Sequence, residues 1–231
     1  MKLTHLRTTA SVAFVALCCT TITLPAQAAV VTFYDSAAAF AGVSTTTLRA
    51  DFEGFSHSAD TPGIANPYSE GGVTFRHPTN LYIATPTGAA VAVGDIEFPI
   101  SSNVLTASGN EDFILTFSGG APLAVAFDAF TNRFAAPVVT VFDLADVLIG
   151  SYTLTQGPNE AGFVGITSTV GIGSVRWTPT SGGIKDTAID NIRVGTTNAV
   201  PEPSTLALLL GAGLALGVRA RQSQRLGHIR G

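Results

Sequence analysis

The chain has 231 residues, of which 46% are hydrophobic and only 12% are charged, and its formal net charge at pH 7 is −4. Residues 30–198 contain six basic and fifteen acidic side chains, so this part of the chain carries a charge near −9. Such a surface makes nucleic acid and anionic lipid poor partners, because both are negatively charged, and it favours cations or neutral polymers.

The N-terminus has the features of a secretory signal peptide covering residues 1–28. A basic start precedes an apolar stretch over residues 10–24. Ala26 and Ala28 then place small residues at positions −3 and −1 of a cleavage site after Ala28. Signal peptidase is therefore an expected partner, and the mature protein is expected outside the inner membrane.

The mature protein is expected to contain no cysteine, because Cys18 and Cys19 are the only two in the chain and both lie in the signal peptide. Disulfides, thiolate metal sites and cysteine nucleophiles are therefore excluded. Zinc and serine chemistry also lack their usual residues: between positions 29 and 199 the histidines are His57 and His77, and no Gly-x-Ser-x-Gly sequence occurs.

Residues 29–199 predict one all-β domain, an antiparallel two-sheet sandwich of jelly-roll type. Short alternating apolar runs recur about every ten residues between clusters of Gly, Pro, Asn and Asp. A brief helix is predicted only over residues 37–41, after a capping Asp35 or Ser36, and residues 56–71 are predicted to form a long loop. The predicted strands are 30–34, 46–55, 72–77, 81–84, 112–117, 123–127, 138–142, 147–154, 162–168, 172–178 and 188–194.

The closing strands, residues 163–194, resemble those of exported jelly-roll modules. Related galactose-binding-like sandwiches often bind carbohydrate, and many hold a structural calcium ion between their first and last strands. The resemblance therefore implies a carbohydrate-binding module as an alternative role, and a structural calcium ion as a candidate cofactor. Aromatic rings that stack on sugars are the usual means of such binding. The candidate rings, for which core or rim packing is the more common use, are those of Tyr68, Tyr82, Tyr152 and Trp177.

Paired carboxylates are the one catalytic arrangement that the residue types permit. A glycosidase needs two carboxyl groups about 5–10 Å apart across a cleft. Asp51 with Glu53, or Glu111 with Asp112, could supply such a pair. Acidic residues on a sandwich surface mostly maintain solubility, so we expect a protein without catalytic residues, and a glycan-active enzyme is the lesser alternative.

Asp190 is the most informative acidic residue. By strand alternation it falls on the same face as Ile192 and Val194, so its carboxylate is predicted at the edge of the core, where an unpaired charge is costly. One interpretation is that Asp190 accepts backbone N–H bonds or pairs with Arg176 or Lys185.

The other interpretation is a structural calcium ion, which binds carboxylate, amide and carbonyl oxygens. Glu53 and Asp190 are its candidate ligands if the first and last strands lie side by side, and Asp51 and Asn191 are further candidates. Two adjacent carboxylates repel each other, and a shared proton or a cation relieves the repulsion. Both interpretations stay open.

Residues 200–231 form a C-terminal segment in three parts. A proline-containing motif comes first, and its prolines keep the chain extended and accessible to a processing enzyme. A short transmembrane helix is predicted over about 205–218, followed by a basic tail over 219–231 that stays on the cytoplasmic side. The motif residues are Val200, Pro201, Glu202, Pro203, Ser204 and Thr205, and the arginines flanking the helix are Arg219, Arg221 and Arg225.

This order of motif, helix and basic tail resembles the PEP-CTERM sorting signal of Gram-negative bacteria. In that family a membrane-embedded transpeptidase called exosortase recognises the signal, and its substrates are associated with exopolysaccharide and the cell surface. The resemblance implies transient anchoring in the membrane, exosortase processing near residues 201–203, and a final place at the cell surface or in the extracellular matrix. A plain C-terminal membrane anchor is the alternative.

Overall fold

The structure is a computed structural model that describes residues 28–56, 63–94, 96–107, 112–131, 137–154, 160–179 and 186–198. Residues 1–27 of the predicted signal peptide, the predicted membrane helix and the sorting motif lie outside these ranges. In chain order the elements are β1 (Val31–Tyr34), α1 (Ala37–Val43), β2 (Ser44–Ala50), β3 (Gly63–Ile64), β4 (Tyr68–Glu70), β5 (Val73–Arg76), β6 (Leu81–Ala84), β7 (Pro86–Thr87), β8 (Ala90–Val93), β9 (Ile96–Phe98), β10 (Val104–Ala107), β11 (Phe113–Phe117), β12 (Ala124–Thr131), β13 (Pro137–Asp143), β14 (Leu148–Thr153), β15 (Glu160–Ser168), β16 (Ile172–Pro179) and β17 (Ala188–Thr197).

These strands form two large antiparallel sheets and one small one. The eight-stranded sheet has the order β1-β15-β12-β17-β10-β6-β3, and β2 also pairs with β17. The six-stranded sheet has the order β14-β13-β16-β11-β5-β4, and β7, β8 and β9 form the small sheet. The last strand, β17, is the centre of the larger sheet, because it pairs with β2, β10 and β12.

One hydrophobic core joins residues of the two large sheets, as a sandwich requires. Phe127 and Ile189 of the eight-stranded sheet share it with Phe113 and Trp177 of the six-stranded sheet. Trp177 is fully buried, packs edge-to-face on Phe127 at 5.9 Å between ring centroids, and donates its indole N–H to Thr187 Oγ1 at 3.2 Å. The aromatic and aliphatic side chains of this core provide the main favourable term in folding.

The outer face of the eight-stranded sheet is also covered, at both of its ends. At one end Phe40 of α1 packs on Ala124 and Ala126. At the other end Phe98 of the small sheet packs against Phe130, with 5.5 Å between the ring centroids. Polar residues of β12 and β17 lie between these two coverings.

The helix α1 begins where the sequence predicted. Ser36 is its N-cap, and its Oγ accepts a hydrogen bond from the backbone N–H of Ala39 at 3.4 Å. The helix then runs to Val43, two residues beyond the predicted end. No helix among the described residues is both long and apolar enough to span a membrane.

The mostly β, antiparallel sandwich is confirmed, and its jelly-roll topology stays a prediction. The structure differs from the predicted elements in three places. The strand predicted over 46–55 ends at Ala50, because Phe52 has a positive φ of 58° and begins a turn. The loop predicted over 56–71 contains β3 and β4, and the four short strands from β7 to β10 were not predicted.

An acidic cluster as the candidate site

Asp190 lies on the outer face of the eight-stranded sheet, not on the core-facing side that strand alternation predicted. Ile189 and Ile192 both belong to the central core, although they are three residues apart. Asn191 between them has a left-handed backbone with φ of 53°, which shifts the alternation by one residue. Asp190 therefore shares the face of Ala188, which packs with the small sheet, yet its side chain is still 0% exposed.

Asp128 lies directly opposite Asp190 in the antiparallel register of β12 and β17. The side-chain amide of Asn191 joins the two carboxylates, donating to Asp128 Oδ2 at 2.9 Å and to Asp190 Oδ2 at 3.0 Å. A guanidinium lies at the far side of this pair, with Arg193 Nη1 3.7 Å from Asp128 Oδ1. The predicted partner Arg176 lies on the other sheet, where its Nη2 is 2.7 Å from Oδ1 of Asp146 in the turn between β13 and β14, and Lys185 lies outside the described residues.

Asp190 accepts two further hydrogen bonds. The backbone N–H of Asn191 donates to its Oδ1 at 2.6 Å, and the hydroxyl of Ser102 donates to its Oδ2 at 2.8 Å. Burial nevertheless raises the pKa of Asp190 to about 7, and the negative charges of Asp128 and Glu53 act in the same direction. The predicted hydrogen bond from a backbone N–H to Asp190 is thus confirmed. It does not offset the effect of burial on the pKa of this carboxyl group.

Glu53 lies in the turn that follows β2 and reaches the same region from the solvent side. Its Oε1 accepts the backbone N–H of Asn103 at 2.8 Å, and its own N–H donates to Asp51 Oδ1 at 3.2 Å. Ser102 and Asn103 are adjacent in sequence, so one short segment before β10 contacts both Asp190 and Glu53. The structure therefore places these two predicted residues at one junction, although β2, not β1, is the strand beside β17.

Asn103 was not singled out by the sequence, and its environment is unusual. Its side chain is 0% exposed, and its Nδ2 donates to the carbonyls of Phe52 and Phe55 at 2.9 and 3.1 Å. Its Oδ1 is buried and has no hydrogen-bond partner among the residues that the structure describes. Leaving such an acceptor unsatisfied costs about 1–3 kcal/mol, so this oxygen requires an explanation.

These residues are referred to below as the Asp190 cluster, which consists of Glu53, Ser102, Asn103, Asp128, Asp190 and Asn191. It contains three carboxylates, and Arg193 is its neighbouring cation. Burial also raises the pKa of Asp128, against the opposing effects of Asn191 and Arg193. Among the described residues, no three His, Cys, Asp or Glu side chains are arranged to hold a metal, so a cation here needs neutral oxygens as well.

The other predicted acidic candidates lie elsewhere or are used locally. Asp51 is next to the cluster, but its Oδ1 accepts the N–H of Glu53 within the turn, and its own N–H donates to Glu70 Oε1 at 3.2 Å. Asp112 is half-buried directly before β11, and its predicted partner Glu111 lies outside the described residues.

The rings predicted as sugar-stacking candidates mostly pack against the protein. Trp177 is fully buried. Tyr152 stacks on Phe33 at 5.3 Å, and Tyr68 stacks on Phe75 at 6.2 Å between ring centroids. Tyr68 also donates its hydroxyl to Glu70 Oε2 at 2.7 Å, and burial together with this carboxylate raises the pKa of the phenol. Tyr82 is half-buried on β6.

A comparison with protein families identifies the chain's C-terminal segment. Residues 199–222 match the PEP-CTERM protein-sorting motif, which covers the predicted proline motif and helix and the first two of the flanking arginines. A comparison with curated proteins finds no match. The chain therefore carries a PEP-CTERM sorting signal, and this signal implies export, sorting to the cell surface, and an exosortase as the processing partner.

Proposed function

We propose that this protein is a non-catalytic component of the exopolysaccharide layer at the cell surface, delivered there by exosortase processing. The observation that carries the proposal is the position of the sorting motif. The motif match begins at residue 199, directly after Asn198. The sandwich is therefore the part of the chain that such processing leaves outside the cell.

The end of the sandwich supports this division of the chain. Asn198 is held by three hydrogen bonds: its N–H donates to Val43 O at 2.8 Å, its Oδ1 accepts from Thr45 Oγ1 at 2.7 Å, and its Nδ2 donates to Gly42 O at 3.4 Å. Cleavage near residues 201–203 consequently removes nothing from β17. We infer that the body keeps its complete fold after processing.

The processing step is tested by mass spectrometry of the surface protein from a host with an exosortase and from the same host without it. We expect the mature chain to begin after Ala28 in both hosts. It should lack residues 206–231 only in the host that has the exosortase. A variant with Pro201, Glu202 and Pro203 changed to alanine is expected to keep the C-terminal segment. Recovery of an intact segment on the surface protein of the exosortase-containing host contradicts the proposal.

The matrix association is tested in a strain that makes no exopolysaccharide. We expect the processed protein to move from the matrix fraction into the medium in that strain, while its processing is unchanged. Equal retention in both strains would show that the polysaccharide is not what holds the protein.

A second candidate function is carbohydrate binding, which a groove of about 440 Å³ at one end of the sandwich favours. Arg49, Phe117 and Ser118 line this groove, together with the turn glycines Gly119 and Gly120. A guanidinium, a hydroxyl and an aromatic ring are the groups that hydrogen-bond and stack on sugars. A glycan array compares the wild type with Arg49→Ala, and specific binding that this variant loses would favour the second candidate.

A third alternative is a glycan-active enzyme. It is tested by glycosidase assays on the wild type and on the variants Asp51→Ala, Glu53→Ala and Asp190→Ala. Turnover that depends on these carboxylates would replace the non-catalytic proposal.

A further inference from the structure

We propose that one end of the sandwich docks on the surface of the lipid bilayer while the chain is anchored there. The docking residues are Val30, Leu144, Val147 and Leu148, referred to below as the apolar tip. The inference rests on the proposed processing route, because it requires the chain to be held by the membrane helix predicted over about residues 205–218 before it is cut. It adds to that route a contact made by the folded body.

The residues of the apolar tip are unusually exposed for their type. Leu144 is 75% exposed, Val147 and Leu148 are each 56% exposed, and Val30 is 51% exposed. Among the described residues, the one other large hydrophobic side chain with comparable exposure is that of Leu48. Exposed hydrophobic residues that occur together mark interaction sites, whereas isolated ones are ordinary.

Contacts between neighbouring turns bring the four residues of the apolar tip together. The hairpin of β13 and β14 carries three of them. A Cβ on Gly171 would lie 3.7 Å from Leu144 Cδ1, so the turn between β15 and β16 lies against this hairpin. In the same turn the N–H of Thr169 donates to Val30 O at 3.0 Å. The apolar tip is therefore one surface, formed by two adjacent turns and the residue before β1.

The described chain ends at the same end of the sandwich. The N–H of Leu123, directly before β12, donates to Gly195 O at 3.1 Å near the end of β17. The neighbouring Pro122 O accepts the N–H of Ile172 at 2.8 Å, at the start of β16. Asn198, the last described residue, is three positions beyond Gly195. The chain therefore leaves the sandwich from the end that carries the apolar tip.

The connection between this end and the predicted helix is short. Six residues, 199–204, separate Asn198 from a helix that begins at about residue 205. Six residues span at most about 21 Å when fully extended. An anchored chain therefore keeps the apolar tip near the bilayer. Because the docking is then intramolecular, a few aliphatic side chains are sufficient for it.

The acidic side chains of the hairpin do not oppose this contact. Asp146 Oδ1 is 2.7 Å from Arg176 Nη2. Asp143 Oδ1 accepts the N–H groups of Ala145 and Val147 at 2.8 and 2.9 Å. Both carboxylates thus have partners within the protein. The net negative charge of the body makes anionic lipid a poor partner, so the partner that fits the apolar tip is a zwitterionic lipid surface.

The test measures how deeply the apolar tip lies in the bilayer. The protein is expressed with its signal peptide in a host that has no exosortase, extracted with its C-terminal segment, and inserted into phosphatidylcholine nanodiscs at one chain per disc, which excludes contact with a second copy. The native cysteines lie only in the signal peptide, so a single cysteine can carry a nitroxide label. Collision of the label with a water-soluble nickel chelate reports its exposure to water.

The label is placed at either end of the sandwich. Ala145→Cys puts it at an exposed position between Leu144 and Val147, and Ala92→Cys puts it at an exposed position of the small sheet, which packs at the opposite end of β12. Interfacial apolar groups lie about 5–10 Å into the boundary between headgroups and acyl chains, so we expect chelate collisions at least about threefold less frequent at position 145 than at position 92.

The combined variant Leu144→Ser with Val147→Ser is expected to remove this protection of the label at position 145. Both side chains are exposed, so the fold should tolerate the changes. Leu48→Ser is the matched control, because Leu48 is an exposed leucine on β2 that lies outside the apolar tip. We expect it to leave the protection unchanged.

Four results would overturn the proposal, and they separate it from the processing route. Equal collision rates at the two labels, in discs that contain the chain, would refute the docking and leave the processing untouched. Protection that the combined variant retains, or that Leu48→Ser reduces equally, would show that the apolar tip is not its cause. A chain that does not enter the discs would refute the anchoring and the docking with it. Protection that appears only after an exosortase is added would assign the apolar tip to that enzyme and not to lipid.

Discussion

Asp128 and Asp190 are directly opposed on β12 and β17, and the single amide group of Asn191 donates to both of their carboxylates, at 2.9 and 3.0 Å. Like charges at opposed positions destabilise a sheet. This shared donor is therefore a specific stabilising element of the two central strands, and Asn191 is placed to supply it by its left-handed backbone with φ of 53°.

We expect Asn191→Asp to destabilise the protein, because it replaces the shared donor with another negative charge while tolerating the left-handed backbone. In chelator the free energy of unfolding should fall by about 1–3 kcal/mol. Urea denaturation of the variant and the wild type measures it. The control is Asn80→Asp, at an exposed position, which should change stability by less than about 0.5 kcal/mol. Equal losses in the two variants would show that the bridge between Asp128 and Asp190 contributes nothing.

The stability of the cation-free protein should fall as the pH rises from about 4 to about 7. The pKa of Asp190 is raised to about 7 in the folded state, above its unfolded value near 4, so the folded state holds a proton that the unfolded state releases. The contribution of this proton to the free energy of unfolding is fully present below pH 4 and is lost as the pH rises through the pKa of the folded state. Its upper limit is about 4 kcal/mol. Burial raises the pKa of Asp128 as well, so the titration of Asp128 acts in the same direction.

The Asp190 contribution is isolated by comparing the wild type with Asp190→Asn in chelator. Urea denaturation at several pH values gives the free energy of unfolding of each. We expect the difference between the two proteins to change with pH between about 4 and 7, and to be constant above that range. A difference that is independent of pH would show that Asp190 is charged throughout.

The sequence predicted the long strands well and the short ones poorly. In β11 the large residues Phe113, Leu115 and Phe117 alternate over five positions, and the strand is found there. The strands β7 and β9 have two and three residues, too few for any periodicity to be visible. They are held by pairing with β8 and by the packing of Phe98, which are tertiary effects.

The candidate site was predictable only in part. The proposed nearness of Glu53 and Asp190 is supported, since both contact the segment Ser102–Asn103. The face of Asp190 was wrong, because alternation cannot anticipate the left-handed residue Asn191. Asn103 was missed, because an asparagine before a strand is common in sequence and only the fold shows that it is buried. The sorting motif, by contrast, is linear, so the sequence alone was sufficient.

Gly165 on β15 should be intolerant of a side chain, because α1 packs directly on it. A Cβ at this position would lie 2.6 Å from Phe40 Cδ2 and 2.9 Å from Phe163 Cε1. Phe40 is the buried residue of α1, so Gly165→Ala should displace the helix and lower the free energy of unfolding by about 1–3 kcal/mol. Urea denaturation with circular dichroism detection measures the loss.

The matched control for Gly165→Ala is Gly42→Ala, within α1. A Cβ there meets nothing within 4 Å, and alanine is the better helix former, so this change should stabilise by up to about 1 kcal/mol. Opposite signs for the two substitutions are the expected outcome. If Gly165→Ala is as stable as the wild type, α1 does not pack on β15 as the structure has it.

Asn103→Asp tests whether the buried Asn103 takes part in the calcium site that the sequence suggested near Glu53 and Asp190, or only supports the fold. The change removes the two hydrogen bonds that Nδ2 donates to Phe52 and Phe55, and it adds a charge beside Glu53 and Asp190. In chelator we therefore expect a loss of about 2–4 kcal/mol in the free energy of unfolding. If Oδ1 is a calcium ligand, the new carboxylate binds the ion more strongly, and saturating calcium should restore most of that loss. Thermal melts of the variant and the wild type, each with calcium and with chelator, make the comparison. Asn80→Asp, at an exposed position, controls for the added charge and should show the wild-type response. A variant that is destabilised equally with and without calcium would assign Asn103 to the support of the turn at residues 52–55 and not to the ion.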